Sequence, residues 1–134
     1  MNAMPHISCD SLTRYRLNTA TEHLAAAKVM LANERIYGAV SSSYFAMFAA
    51  IRAPEANEQK DRKTFIGIVR CFRRDYIEPN TLDKKFSVYF DEAFKLRNLC
   101  DYGDFVIVSR EQVQEQYQHA VEFCAAVKKY LEAT

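Results

Sequence analysis

Apolar residues recur along most of this chain every three or four positions, which is the spacing of one buried face of an α-helix. The first such stripe follows a capping residue at Asp10 or Ser11 and predicts a helix that extends to about Asn33. Its apolar positions are Leu17, Ala20, Leu24, Ala27 and Leu31. An amphipathic helix is therefore the first element that we expect.

The second predicted helix runs from about Arg35 to Arg52, because Pro54 disfavours much continuation of a helix. Its apolar face is formed by Ile36, Val40, Tyr44, Met47 and Ile51. A second face of small residues would let another helix approach closely. Residues 53–61 are polar and show no apolar period. We therefore expect them to form the longest loop between helices and the segment most prone to move.

Three further apolar segments follow. A third helix is predicted over residues 63–77, and a fourth from near Thr81 to Gly103, which we expect to end it as a left-handed cap residue. The short apolar run at residues 105–108 would cross one end of a bundle. The last helix starts after a capping box that Ser109 opens, with a glutamine three residues later.

The composition indicates one helical domain. A chain of 134 residues is long enough to bury one core, and only 3 Gly and 3 Pro leave few turns for a sandwich or barrel of short strands. The sequence therefore predicts an all-α, up-and-down bundle of four to five helices over residues 1–134, with residues 1–10 as a flexible N-terminus.

Charge and cysteine content exclude several classes of protein. A formal net charge of +1 is too small to attract the whole protein to nucleic acid or to a membrane. A binding site for a polyanion would therefore have to be a local patch of positive charge. The four cysteines lie far apart without metal-ligand spacing, which argues against a zinc site, and nothing predicts another cofactor. Neither a signal peptide nor a membrane span is evident in the sequence, which favours the cytoplasm.

Arg97 is the most unusual polar residue, because it lies on an apolar stripe of the fourth predicted helix. The other positions of that stripe are Phe90, Ala93 and Cys100. A guanidinium facing a core needs acceptors, since a buried unpaired charge costs on the order of several kcal/mol. Asp101, one turn later, is the nearest acceptor, and the pair could simply close a helix end. Alternatively, Arg97 holds a phosphate and Tyr102 supplies a hydroxyl.

A second candidate is the basic face formed by Arg70, Arg73 and Arg74, which could contact phosphates. The simpler interpretation is a solvated helix face, because Asp61 and Asp75 interrupt the positive charge. The three histidines lie on different segments without a nucleophilic partner at readable spacing, so we expect surface or packing roles for them.

Three segments in consistent order resemble the small stand-alone proteins of the HEPN family. Residues 97–103, Arg-Asn-Leu-Cys-Asp-Tyr-Gly, look like the family signature of an Arg followed by a spaced Asp-Tyr late in a long helix. Residues 41–50 are similar to the Tyr-Tyr-Ala-Met-Phe segment of the second helix, with Phe45 in place of the second Tyr. Residues 63–72 resemble the third-helix segment, in which many members carry a His at the position of Phe65.

The resemblance covers roughly residues 14–132. It implies frequent homodimers and an operon shared with a minimal nucleotidyltransferase that acts as an antitoxin. Several HEPN branches are metal-independent ribonucleases, in which an Arg and a His four to six residues later act on the scissile phosphate and the 2′-hydroxyl. Here Tyr102 occupies that position after Arg97, and no His occurs between Arg97 and His119. Because tyrosine ordinarily has a pKa of about 10, it is a poor general base at neutral pH, whereas phosphate binding by Arg97 survives the substitution.

Three functions follow as hypotheses. The first is a homodimeric module that binds a nucleotide or an RNA end and pairs with the nucleotidyltransferase antitoxin. Its binding residues would be Tyr44, Arg97, Asn98, Asp101 and Tyr102. The second is a ribonuclease toxin with Arg97 and Tyr102 as catalytic residues, and the third is a structural adaptor in which Arg97 and Asp101 only hold helices together. The small-residue face of the second helix and the run at residues 105–108 further predict a symmetric dimer that brings two Arg97 regions together.

Overall fold

The computed structural model describes residues 9–57, 64–104 and 106–133, and every regular element in these ranges is a helix. Helix α1 spans Cys9–Ala32, α2 Ile36–Asn57, α3 Phe65–Phe72, α4 Lys85–Tyr102 and α5 Arg110–Glu132. A single π-helical turn, Arg73–Ile77, prolongs α3. The predicted all-α bundle of four to five helices is confirmed. No helix in the described ranges is long and apolar enough to cross a membrane.

Two buried clusters hold the bundle together. The larger one lies where α2 meets α3, α4 and α5, and its most deeply buried side chains are Met47, Ile51, Phe72 and Phe123. The smaller one lies towards the α1–α2 turn and contains Leu31, Val40, Val108 and Val113. Burying a side chain of this size stabilises a fold by roughly 1.5–3 kcal/mol. Val108 thus joins the apolar run after α4 to the core, as its position at a bundle end predicted.

Helix α2 continues beyond Arg52, its predicted last residue, with Pro54 inside it. A proline cannot donate a backbone hydrogen bond, and its ring crowds the preceding turn. Two carbonyls beside it accept hydrogen bonds from α1: Thr13 Oγ1 donates to Ala53 O at 3.2 Å, and Arg16 Nη1 donates to Arg52 O at 2.8 Å. The predicted end of α2 at Arg52 was therefore wrong: the helix continues to Asn57, and these two hydrogen bonds attach its last turns to α1.

Two further predicted boundaries shift. The predicted loop at residues 53–61 is helical in its first part, and the rest of it lies outside the described residues. Helix α4 begins at Lys85 and not near Thr81, because the connection turns at Asn80, whose φ of 64° is left-handed. At the start of the chain α1 already includes residues 9 and 10, while residues 1–8 of the predicted flexible N-terminus are outside the described ranges.

Gly103 ends α4, but in a different conformation from the predicted one. Its φ of −84° and ψ of 147° are extended, so the prediction of a left-handed cap was wrong. A Cβ atom at this position would lie 2.5 Å from Val106 Cγ2 and 2.6 Å from Leu99 O. Glycine is needed here because the chain folds back tightly against the helix end. The Tyr37 hydroxyl fixes this return by donating to Val106 O at 2.6 Å.

Side chains at the start of α5 tie it to α1. Ser109 accepts a hydrogen bond from Gln112 N at 3.0 Å, which confirms the predicted N-cap. Arg110 Nη1 donates to Leu31 O at 2.7 Å and to Glu34 Oε1 at 3.1 Å, and thereby satisfies a carbonyl at the end of α1.

Candidate functional site

Arg97 lies on the side of α4 that faces α2, and 25% of its side chain is exposed. The guanidinium carbon is 5.1 Å from the centre of the Tyr44 ring and 4.9 Å from that of the Phe45 ring. A cation over an aromatic face is attracted by roughly 0.5–2 kcal/mol, more strongly where water is excluded. Two adjacent rings of α2 therefore hold the Arg97 guanidinium in place.

Asp101 provides a counter-charge one turn farther along α4. Its Oδ2 atom lies 3.2 Å from Arg97 Nε, within ion-pair distance, but the Nε–H is not aligned for a hydrogen bond and has no other acceptor in the described part of the chain. Because both side chains are partly exposed, such a pair contributes at most about 1 kcal/mol. Because Nε is buried, an acceptor from outside this chain would have to reach the terminal Nη groups of Arg97.

Tyr44 is buried beneath the arginine and lies at the centre of an aromatic cluster. Its ring centre is 5.5 Å from that of Phe90 and 6.1 Å from that of Phe94. Burial raises the pKa of the Tyr44 hydroxyl above its usual value, and the positive charge of Arg97 only partly counteracts this. Tyr44 is therefore a neutral group at physiological pH, suited to positioning Arg97 and unsuited to acting as a base.

Helix α3 reaches the same cluster through Phe65. The Phe65 ring centre lies 5.3 Å from that of Phe94 and 5.5 Å from that of Phe48. The position at which the family resemblance implies a His in many members thus carries an aromatic ring that packs beside the Tyr44 neighbourhood. Here it adds apolar contact and no proton-transfer group.

The other two predicted site residues on α4 are placed differently. Tyr102 is 79% exposed. Since it follows Arg97 by five residues, it lies about 140° around the helix axis from it. Asn98 is partly buried and lies about 100° from Arg97. Within one chain, the structure brings together Tyr44, Arg97 and Asp101, and directs Tyr102 elsewhere.

The basic face of α3 and the π-helical turn is largely occupied by internal contacts. Arg73 forms an ion pair with Asp91, and its Nε donates to Ser87 Oγ at 3.1 Å. Arg74 Nε lies 2.8 Å from Asp75 Oδ1, and Arg70 is exposed. Two of the three arginines that sequence analysis singled out therefore have carboxylate partners. A solvated, ion-paired helix face accounts for both.

Sequence analysis did not connect His23 of α1 with this region. Its ring centre lies 5.8 Å from that of Phe45, the ring that also contacts Arg97. His119, in contrast, stacks in parallel on Tyr89 at 3.8 Å on the α4–α5 side of the bundle. Among the described residues, no group of three or more His, Cys, Asp or Glu side chains could hold a metal ion.

Comparison with known proteins agrees with this architecture. The chain matches the HEPN domain over residues 13–130 and therefore belongs to the HEPN family. The resemblance inferred from the three sequence segments is confirmed.

Individual relatives are distant but similar over most of their length. A "UPF0332 protein" of Thermotoga maritima is 27% identical over 123 residues, which cover 92% of this chain and 93% of that protein. "Putative toxin MJ0142" of Methanocaldococcus jannaschii is 28% identical over 112 residues, covering 79% of this chain and 76% of that protein. "Putative toxin MJ0605" of the same organism is 23% identical over 115 residues, covering 86% and 85%.

Proposed function

We propose that this protein is a toxin-like HEPN module that binds the phosphate of a nucleotide or of an RNA end through Arg97. The observation that carries the proposal is the state of the Arg97 guanidinium, which two rings hold while 25% of the side chain stays exposed. A partly exposed guanidinium in a fixed position suits the planar, two-point recognition of phosphate. The toxin-like part rests on the names of the two Methanocaldococcus jannaschii relatives.

The partners we propose are a minimal nucleotidyltransferase that acts as the antitoxin and a second copy of this chain. Apolar side chains around the end of α4 support a protein partner. Leu99 is 51% exposed, Tyr102 79% and Ile107 93%. Apolar groups of this size are typical of surfaces that another protein covers, although Leu99 and Tyr102 lie on a different side of α4 from Arg97. The homodimer that we propose would bring the two Arg97 regions near each other, and a two-fold axis would repeat every contact between them.

A ribonuclease that uses Arg97 and Tyr102 receives less support. The two side chains differ by about 140° around α4, so within one chain they point in different directions. A composite site between subunits would be one way to bring them together. Cleavage of RNA that Tyr102→Phe abolishes would establish this alternative, since that change removes only the hydroxyl.

The test compares Arg97→Ala with Arg73→Ala in titrations against labelled mononucleotides and short RNAs. Arg73 is a matched control, because it is also a partly exposed arginine with an aspartate partner. A hydrogen bond to a charged group contributes roughly 1.5–3 kcal/mol, so Arg97→Ala should weaken binding at least tenfold while Arg73→Ala leaves it unchanged. An equal loss of affinity in both variants would indicate that the ligand binds the basic face of Arg70, Arg73 and Arg74. Absence of binding by the wild type would favour the structural adaptor instead.

A further inference from the structure

A groove between α1 and α2 opens beside the Arg97 site, with which it shares the Phe45 ring. Its volume is about 320 Å³, within the usual range for small-ligand pockets. Three of its walls are the rings of Tyr15, Phe45 and Phe48, and its polar groups include Arg16, His23 and Arg52. We call it the α1–α2 groove.

The chemistry of the α1–α2 groove is aromatic and basic. No Asp or Glu is among the described residues that line it. Tyr15 presents a ring that is 68% exposed. Positive charge interleaved with accessible rings is the combination that binds single-stranded nucleic acid, because phosphates need cations and unpaired bases need flat surfaces.

Phe45 joins this groove to the Arg97 site. Its ring lines the groove, lies 4.9 Å from the Arg97 guanidinium carbon and lies 5.8 Å from the His23 ring. A phosphate held at Arg97 would therefore have an aromatic surface immediately beside it. A nucleotide chain requires this arrangement, since each phosphate is followed by a base.

We propose that the α1–α2 groove binds the bases of a single-stranded RNA whose phosphate Arg97 holds. This inference rests on the proposed function and extends it from a phosphate site to an RNA-binding surface. Tyr15 is the stacking platform, and Arg52 and His23 are the polar groups at its edges. A duplex is a poorer ligand than a single strand, because its bases are already stacked and their faces are inaccessible.

The experiment uses the full chain with fluorescein-labelled hexauridylate and, separately, uridine monophosphate as probes. The test variant is Tyr15→Ala, and the matched control is Val29→Ala, which truncates another exposed side chain of α1 that does not line the groove. Tyr15→Ala should weaken hexauridylate binding about tenfold, which corresponds to about 1.4 kcal/mol and is within the range for one stacked base. Val29→Ala should bind as the wild type does, and Tyr15→Phe, which keeps the ring, should restore affinity.

A salt series separates stacking from charge. Tyr15→Ala removes no charge, so the slope of log affinity against log salt should stay the same, whereas Arg52→Gln should reduce it by roughly 0.7 for each lost phosphate contact on a single strand. Equal thermal unfolding temperatures for Tyr15→Ala and Val29→Ala would show that both variants fold.

The possible outcomes distinguish this inference from the proposed function. If Arg97→Ala weakens both probes while Tyr15→Ala weakens neither, the phosphate site stands and the groove proposal is overturned. If Tyr15→Ala weakens hexauridylate while Arg97→Ala changes nothing, the groove binds RNA without the proposed phosphate site. Hexauridylate binding that neither variant changes overturns both, as does absence of binding by the wild type. Tighter binding of a hairpin duplex than of the single strand also overturns the groove proposal.

Discussion

The substitution Gly103→Ala sets two physical effects of opposite sign against each other at the end of α4. The backbone there is extended, with φ −84° and ψ 147°, and any L-residue can adopt it. Loss of glycine's freedom in the unfolded chain would therefore stabilise the protein by about 0.4–1 kcal/mol. The new methyl group would, however, lie 2.5 Å from Val106 Cγ2 and 2.6 Å from Leu99 O.

The close approach to Leu99 O decides the sign. That oxygen is a backbone atom which accepts the Gly103 N–H at 2.9 Å, so it cannot move away without disturbing the last hydrogen bond of α4. Overpacking of this kind costs about 1–3 kcal/mol, which exceeds the gain from the unfolded chain. We expect a net destabilisation of about 1–2 kcal/mol, or a decrease in Tm of roughly 4–8 °C for a domain of this size.

Thermal unfolding monitored by circular dichroism measures this difference, with Gly38→Ala as the control. A Cβ atom at Gly38 would press on the flexible end of Met30, at 2.7 Å from its Sδ atom, and on nothing rigid. Because alanine is favoured over glycine inside a helix by about 1 kcal/mol, Gly38→Ala should keep or raise Tm. A higher Tm for Gly103→Ala would refute the reasoning, since the contacts with Leu99 and Val106 would then carry no cost.

Two other predictions concern assembly and alkaline pH. Light scattering should report about twice the chain mass of 15.5 kDa. Ile107→Glu should lower the measured mass towards that of one chain, because a charge at the 93% exposed Ile107 would meet its own copy across a two-fold axis. A monomeric wild type at micromolar concentration would contradict the dimer. Burial raises the pKa of the Cys124 thiol from about 9 to about 12, so its contribution to stability is complete below pH 9 and is lost as pH rises towards 12. The unfolding free energy of Cys124→Ala should therefore fall less steeply than that of the wild type between these pH values, and parallel curves would show that the thiol is not the group responsible.

Helical periodicity in the sequence was sufficient to predict the class of fold and most of its buried faces. Leu31, Met47 and Phe90 are buried, as their positions on the apolar stripes predicted. The pattern does not contain the contacts between helices, and the errors arose there. The helix continues through Pro54, and the carbonyls of Arg52 and Ala53 accept hydrogen bonds from side chains 36 and 40 residues earlier in the chain, which local sequence cannot reveal.

The candidate site was predictable to the same extent. The contact between Arg97 and Asp101 follows from their spacing by one helical turn, and Tyr44, one of the binding residues predicted from the sequence, lies against Arg97. The same helical period places Tyr102 about 140° around α4 from Arg97 within one chain. The sequence could not predict that His23 and Tyr15 line a groove with Phe45, because this depends on how α1 packs against α2.

The way in which Arg97 is held affects what a ligand must displace. An arginine clamped by a carboxylate through two hydrogen bonds has to exchange one anion for another when phosphate arrives, and the two anions compete. The rings of Tyr44 and Phe45 attract the positive charge through their faces and carry no negative charge of their own, so they remain in place when an anion binds. Added salt, which weakens a solvent-exposed ion pair, acts less on a short-range contact with buried rings. The orientation of this arginine should therefore be the same in the empty and the occupied protein, and in dilute and concentrated salt.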